Sequence, residues 1–418
     1  MQRRSIRALA AGVAVLTLGM FGLTACSGAP ASSASTEKIT LTYGIWDKNQ
    51  EPAMKQMVAA FEKQNPNITI DIQLTANADY WTKLQTAASA GSAPDVFWMN
   101  GPNFQLYASN GQLAPLDNVK KSDYPSNLID LYTYDNKLYG APKDFDTVGV
   151  WYNKKLFDAA GVAYPKAGWT WDEFTADAKA LTNKTTGTFG VAAPPYGQEN
   201  YYDTVAQAGG YIISKDGKKS GYDNPKTIEG VKFWLDLVKD GASPSLQQMT
   251  DTYSADLFTS GKIAMYWAGS WNPGAFAKSS IAADINVAPL PQGPTGNQSI
   301  IHGLANVVSA KSAHLDAAKK FAAFASGKTA ADFMAKSGAV IPAFNGTQTL
   351  WVKSLPNYDL QSYINEVKTA VPFPISRNTA AWNADETAIF SKVWSGSLDL
   401  DAGMKQLAAL MNAALAKE

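Results

Sequence analysis

The stretch Ile39–Leu74, ITLTYGIWDKNQEPAMKQMVAAFEKQNPNITIDIQL, decides the fold class. Ile39, Leu41, Tyr43 and Ile45 alternate, as in a strand with one buried face. Met54, Met57, Val58 and Phe61 then fall at i, i+3, i+4 and i+7, a single helical stripe closed by Asn65-Pro66. Ile68, Ile70, Ile72 and Leu74 alternate again. Strand, helix and strand at this spacing make a βαβ unit, with a right-handed crossover and a parallel sheet.

The same alternation continues outward. Residues 80–90 read as a helix stopped by Gly91, Asp95–Trp98 as a buried strand, and residues 104–110 as a short helix stopped by Gly111. Thr170-Trp171-Asp172-Glu173 fits a capping box, with Phe174, Ala178 and Leu181 facing inward. Asn224-Pro225 opens a helix with Ile228, Val231, Leu235 and Val238 on one face and Gly241 beyond its end. Residues 314–325 and 400–416 are further amphipathic helices. Alternating strands and helices predict an α/β fold. A chain of 418 residues, at roughly 100–200 per domain, predicts two lobes.

The N-terminus reads as an address. Arg3, Arg4 and Arg7 precede an apolar stretch from Ala8 to Leu23, short of the ~20 residues that span a bilayer. Residues 1–25 are expected to be a secretory signal peptide. Its end, Leu23-Thr24-Ala25-Cys26, resembles the lipobox of bacterial lipoproteins, and the chain's single cysteine stands at the required position. The resemblance implies that Cys26 becomes the lipidated first residue, with residues 26–37 as a flexible tether. The body is then expected at the extracytoplasmic face of the bacterial cell membrane, held by lipid alone. Loss of the three arginines leaves it mildly acidic.

Composition excludes several chemistries. Two His and one Cys do not supply a structural zinc site or a Cys/His catalytic pair, so no metal and no cofactor is expected. With 36 basic and 36 acidic residues and no basic run in the body, nucleic acid is not an expected partner. Gly44-Ile45-Trp46-Asp47 has neither the dinucleotide nor the P-loop spacing, which disfavours a nucleotide enzyme.

Ligands of open α/β sheets bind at the carboxyl ends of strands. Those ends here carry Trp46-Asp47-Lys48-Asn49, then Trp98-Met99-Asn100, then Lys143-Asp144-Phe145-Asp146, and Gly269-Ser270-Trp271-Asn272. A Trp repeatedly stands beside an Asp or Asn. That pairing suits a sugar, because an indole covers the apolar face of a pyranose while carboxyl and amide groups bond its hydroxyls. Each Trp taken singly is equally well read as core. His302 fits a hydrogen-bonded structural residue better than a ligand contact. Asp144 and Asp146 resemble a glycosidase pair only in type, since catalysis needs carboxyls ~5–9.5 Å apart across a scissile bond.

Seven consecutive blocks resemble the carbohydrate-type extracellular solute-binding proteins of bacterial ABC importers, the group that contains maltose-binding protein. They are residues 61–68, Ala93-Pro94-Asp95-Val96, residues 111–116, residues 152–157 with Gly161, residues 169–173, residues 258–265, and Ala288-Pro289-Leu290-Pro291. The likeness runs through nearly all of residues 38–418. It implies a two-lobed periplasmic-binding-protein-like fold with a multi-crossing hinge. By position, residues 38–144 with 304–338 form one lobe and residues 148–299 with 345–418 the other. Hinge crossings fall near 144–148, 299–303 and 338–344.

The resemblance also implies roles. Asp146 matches an acidic ligand contact, Trp271 a stacking residue, Trp46 and Asp47 contacts after the first strand, and Trp98 the one after the Pro-Asp strand. Tyr201, Tyr202 and Trp382 match further contacts, and Arg377 is placed among them by its closeness to Trp382. Asn49 and Asn100 complete the expected set. Two departures, Gly101-Pro102 and Ile301-His302-Gly303, bear on which sugar binds, and maltose itself is not implied.

The expectation is therefore a monomeric, membrane-anchored receptor, not an enzyme. It captures a mono- or oligosaccharide between its lobes and delivers it to ABC permease subunits. A secreted lyase or glycosidase, or a receptor of the same fold for a non-sugar solute, is the alternative.

Overall fold

β1 (Ile39–Ile45) and β2 (Ile68–Leu74) pair in parallel, Ile39 opposite Ile68 through Ile45 opposite Leu74. The helix Glu51–Gln64 crosses between them and buries Ala53, Met54, Met57, Val58 and Phe61, the stripe its spacing requires. These positions come from a computed structural model that describes residues 38–418, which pack as one compact unit. The expected signal peptide, the lipidated Cys26 and the tether lie outside the described residues.

β3 (Val96–Asn100) joins β1 in parallel. A small hairpin, β4 (Thr133–Tyr134) with β5 (Lys137–Leu138), turns through Asp135 and Asn136 at φ of 48° and 60°, residue types that tolerate the left-handed region. β6 (Gly140–Asp146) belongs to the first sheet, and after Thr147 the chain enters the second with β7 (Val148–Asn153). β8 (Phe189–Val191), β9 (Ile263–Gly269) and β10 (Ile285–Ala288) complete that second sheet, in the order β10-β7-β9-β8.

β11 (Ile300–Val308) returns to the first sheet and lies antiparallel between β3 and β6. β12 (Ile341–Pro342) adds to β6, and β13 (Val371–Pro372) to the start of β11. The first sheet thus runs β12-β6-β11-β3-β1-β2. The chain passes between the sheets at Thr147 and between β10 and β11, and after β12 it runs on to the helix Gln361–Glu366, which packs on β7 of the second sheet. The fold is α/β and two-lobed. The helix Gln348–Ser354, expected in the second lobe, packs instead on the helix Lys328–Ser337 and on β12.

Local chemistry fixes the helix starts. Thr170 and Glu173 form the capping box: Thr170 Oγ1 accepts from the Glu173 N–H at 3.3 Å, and Glu173 Oε2 from the Thr170 N–H at 2.7 Å. Asn224 Oδ1 accepts from the Lys226 N–H at 2.8 Å ahead of the helix Pro225–Lys239. The helix expected from residue 104 begins earlier, spanning Gly101–Ser109, because Asn100 caps it and Pro102 is at home in a first turn.

The second lobe closes over an acid. Glu386 is buried and accepts from the Tyr202 hydroxyl at 2.9 Å and from the Tyr222 hydroxyl. Burial pushes its carboxyl up to about 8 from an ordinary 4.5, and likewise pushes Glu366 up to about 8 and Glu199 up to about 7. These groups hold protons in the folded chain that the unfolded chain releases from about pH 4.5, so stability falls as pH rises toward 8. Burial holds His302 down at about 4, which acts in the opposite sense but only below its unfolded value of about 6.5. Between pH 6.5 and 8 the acids alone set the slope. The melting temperature is expected to fall across that window, and less steeply in Glu386→Gln, whose amide oxygen still accepts from a tyrosine. An unchanged slope in thermal melts of the variant would mean that Glu386 is ionised in the fold.

Candidate functional site

A cleft of about 520 Å³ opens between the lobes, within the roughly 300–1,000 Å³ usual for small-ligand sites. One wall is the carboxyl end of the first sheet. Trp46, the residue after β1, lines the cleft and is held edge-on by Tyr80 at 4.8 Å and Trp98 at 5.0 Å, with Trp81 tilted against it at 5.4 Å between ring centroids. Asp47 and Asn49 follow on the rim. Asp47 Oδ1 accepts from the Asn49 N–H at 2.8 Å and Oδ2 from Gln50 Nε2 at 3.0 Å, which fixes the turn. Asn100 also lines the cleft; its Oδ1 is taken by the Asn103 N–H and Nδ2, so its own amide N–H is what it can offer.

The opposite wall comes from the second lobe. Trp271 stands in the turn after β9, its ring laid against Gly269, where a Cβ would meet ring atoms at 2.1 Å. Glu199 ties down both ends of this turn, accepting from the Gly269 N–H at 2.9 Å and from Asn272 Nδ2 at 3.2 Å. Ser270 and Asn272 line the cleft beside Trp271. Among the described residues, Ser270 Oγ is buried without a hydrogen-bond partner.

The floor is made where the chain changes sheets. Asp146, the last residue of β6, accepts from Gln198 Nε2 of the second lobe at 2.5 Å. Burial, and then the charge of Asp144, push its carboxyl well above the usual range, which favours the acid form able to donate as well as accept. His302 on β11 accepts the Gly101 N–H on Nε2 at 3.2 Å, so its proton sits on Nδ1, 3.9 Å from Asp146 Oδ2. With burial lowering its pKa to about 4, this imidazole is a neutral donor. Two indoles from opposite lobes and a ring of amides, carboxyls and one imidazole can grip a neutral polyhydroxyl ring on faces and edges. Among the described residues, no group of three or more His, Cys, Asp or Glu could hold a metal ion.

The family model for bacterial extracellular solute-binding proteins matches residues 47–384. The chain belongs to that family. It resembles the multiple sugar-binding protein of Streptococcus mutans, 26% identical over 73% of this chain and 76% of that one. It resembles the galactooligosaccharide-binding protein of Bacillus subtilis, 30% identical over 72% of each chain. Among solved structures it matches an ABC substrate-binding protein of Listeria monocytogenes in complex with cycloalternan, at 30% identity and a TM-score of 0.86, covering 91% of this chain and 100% of that one. Proteins of this family work outside the cytoplasm, and those matched here are binding proteins rather than enzymes.

Of the residues the sequence singled out, Trp46, Asp47, Asn49, Asn100, Asp146 and Trp271 line the cleft of this solute-binding protein. The other five do not. Trp98 is fully buried: its Nε1 donates to the Tyr43 hydroxyl at 2.6 Å, and its ring lies beneath Trp46. The central strand β3 is covered on both faces, so its alternation leaves no open side before Asn100. Tyr201 and Tyr202 are 3% exposed; Tyr201 packs on Phe390 at 4.7 Å, and Tyr202 bonds Glu386. Trp382 is 0% exposed and donates to Ser376 Oγ at 2.9 Å. Arg377 is exposed and bonds Glu418, away from the cleft.

Gln198 and Tyr253 reach the cleft unforeseen. Neither follows a strand. Gln198 rides a single π-helical turn, Gly197–Tyr201, and Tyr253 is the residue before the helix Ser254–Thr259.

Proposed function

We propose that this solute-binding protein is a membrane-anchored, extracytoplasmic sugar receptor that delivers its ligand to ABC permease subunits. The single observation that carries the reading is a cleft with Trp46 and Trp271 on facing lobes and amide, carboxyl and imidazole groups around them. The relatives named for galactooligosaccharide and solved with cycloalternan bind sugars, which supports the same class here. The lipobox-like Leu23-Thr24-Ala25-Cys26 supports lipid anchoring, and a monomer suffices because both walls come from one chain.

Mechanistically, Asp146 lies at the residue before the Thr147 crossing, so it contacts ligand at the pivot. The first lobe offers Trp46, Asp47, Asn49 and Asn100, and closure adds Trp271 from the second. Ligand favours the closed form only by those added contacts. A panel of mono- and oligosaccharides titrated against intrinsic tryptophan fluorescence tests the reading, with chromatography of the recovered sugars. Saturable quenching or enhancement with unchanged sugar is expected. Binding of none of them, or conversion to product, would sink it.

A further inference from the structure

Buried carboxyls stand where the chain changes sheets. Asp146 ends β6, just ahead of Thr147. Asp203 lies on the short helix Tyr202–Gln207 of the second lobe, and its Oδ1 accepts from the N–H of Ile300, the first residue of β11, at 2.6 Å. Glu366 ends the helix Gln361–Glu366 and accepts from the Leu290 N–H at 3.1 Å and from Asn297 Nδ2 at 3.0 Å, both in the segment between β10 and β11. The crossings are also tied to one another. The Val148 N–H donates to Ser299 Oγ, and Thr147 Oγ1 to the Tyr363 carbonyl, each at 2.8 Å.

Asp203 is fully buried, and among the described residues its Oδ2 has no hydrogen-bond partner. A carboxylate there would be a bare charge in the interior, a costly state without a counter-ion. The charged groups turned toward it are acids: Asp146 from β6, Glu199 from the π-helical turn, and Glu366. His302 on β11 faces Asp146 and is neutral, and Lys143 is engaged with Asp144 and Gln50. The helix Pro225–Lys239, packed on the Asp203 helix, carries its charges outside as the exposed pairs Lys226–Glu229 and Lys232–Asp236. Burial pushes the Asp203 acid well above the usual carboxylate range; the Ile300 N–H draws it part of the way back, and the three neighbouring acids add to the rise.

We infer that Asp203 is a positioning residue of the hinge: as the neutral acid it clamps the start of β11 to the second lobe, and loss of its proton releases that crossing and lets the lobes part. Parting admits water to the carboxylate. The clamped hinge therefore holds a proton that the open hinge gives up, so the clamp is complete at low pH and is lost as pH rises through the titration of the clamped acid. One linked proton weakens the clamp by up to about tenfold per pH unit. Closure on any solute in the cleft carries the same dependence.

Amide hydrogen exchange of the protein from about pH 6 to about pH 9, corrected for base catalysis, tests it. Protection at Ile300 is expected to fall tenfold or more relative to Val307, further along the same strand. Asp203→Asn keeps an acceptor for the Ile300 N–H and has no proton to lose, so its ratio is expected to stay level. Spin labels on Lys63→Cys and Lys239→Cys, exposed positions on opposite lobes, with Cys26→Ser, are expected to move apart at the higher pH, and not to move when Asp203→Asn is added. A wild-type ratio or label separation that ignores pH overturns the proposal, as does an equal change in Asp203→Asn. If Asp203→Asn does not fold, the two wild-type measurements decide.

Discussion

Replacing Trp271 by alanine is expected to weaken sugar binding by about 2–4 kcal/mol, roughly 30- to 1,000-fold, with little change in fold stability. The indole is half-buried and laid on the Gly269 backbone, so its orientation is set before ligand arrives. The Glu199 carboxyl fixes the turn on both sides of it through the Gly269 N–H and the Asn272 amide. Ordering costs that a loose side chain would incur on binding are already met, and the loss on truncation falls on the complex. The geometry gives a companion result. A methyl on Gly269 would lie 2.1 Å from the ring, a separation no contact tolerates, so Gly269→Ala must push the indole off its seat. That variant is expected to lose most of the same affinity with Trp271 still present. Calorimetry with the tightest sugar and urea unfolding separate the two effects. Wild-type affinity in Trp271→Ala would remove the indole from the sugar.

The fold was legible where one face is wet. β1 and the helix Glu51–Gln64 show their periods because their outer positions are polar, and the capping box at Thr170 names its own helix start. The site was legible in part for the same reason. Trp46 and Trp271 each follow the end of a strand, where the chain leaves the sheet and a large ring has open space beside it. Trp98 carries the same local pattern but sits inside β3, and covered faces above and below hide it. Tyr201 and Tyr202 show how finely a turn divides roles. The π-helical turn aims Gln198 at the cleft while the tyrosines a few residues on turn into the lobe, and no period in the sequence marks that rotation. Tyr253 belongs to a loop between helices, outside any rule about strand ends.

Lys143→Met is expected to destabilise the fold by about 3–5 kcal/mol, the usual cost of leaving one half of a buried ion pair behind. Lys143 and Asp144 are each 2% exposed, and the ammonium bonds the Asp144 carboxylate, reaches Gln50 Oε1 at 2.8 Å and lies 4.2 Å over the Trp98 ring. Burial already raises the Asp144 carboxyl, and Lys143 is the main influence drawing it back down. Without the ammonium the acid protonates more readily, so the stability loss is expected to be deepest at high pH and to shrink on acidification. Lys143→Met with Asp144→Asn removes both charges and keeps an acceptor for the Leu304 N–H, which Asp144 Oδ1 takes at 3.3 Å, so it is expected to recover most of the loss. The pair is also the root of a chain toward the ligand. Asp144 holds Lys143, Lys143 holds Gln50, and Gln50 Nε2 orients Asp47 on the rim, while the same ammonium caps the ring on which Trp46 rests. The double variant should therefore regain stability without regaining full sugar affinity, a divergence that urea unfolding and calorimetry on the same samples read directly. If stability and affinity return together, the ammonium matters only for charge balance, and the path from β6 to Asp47 carries nothing.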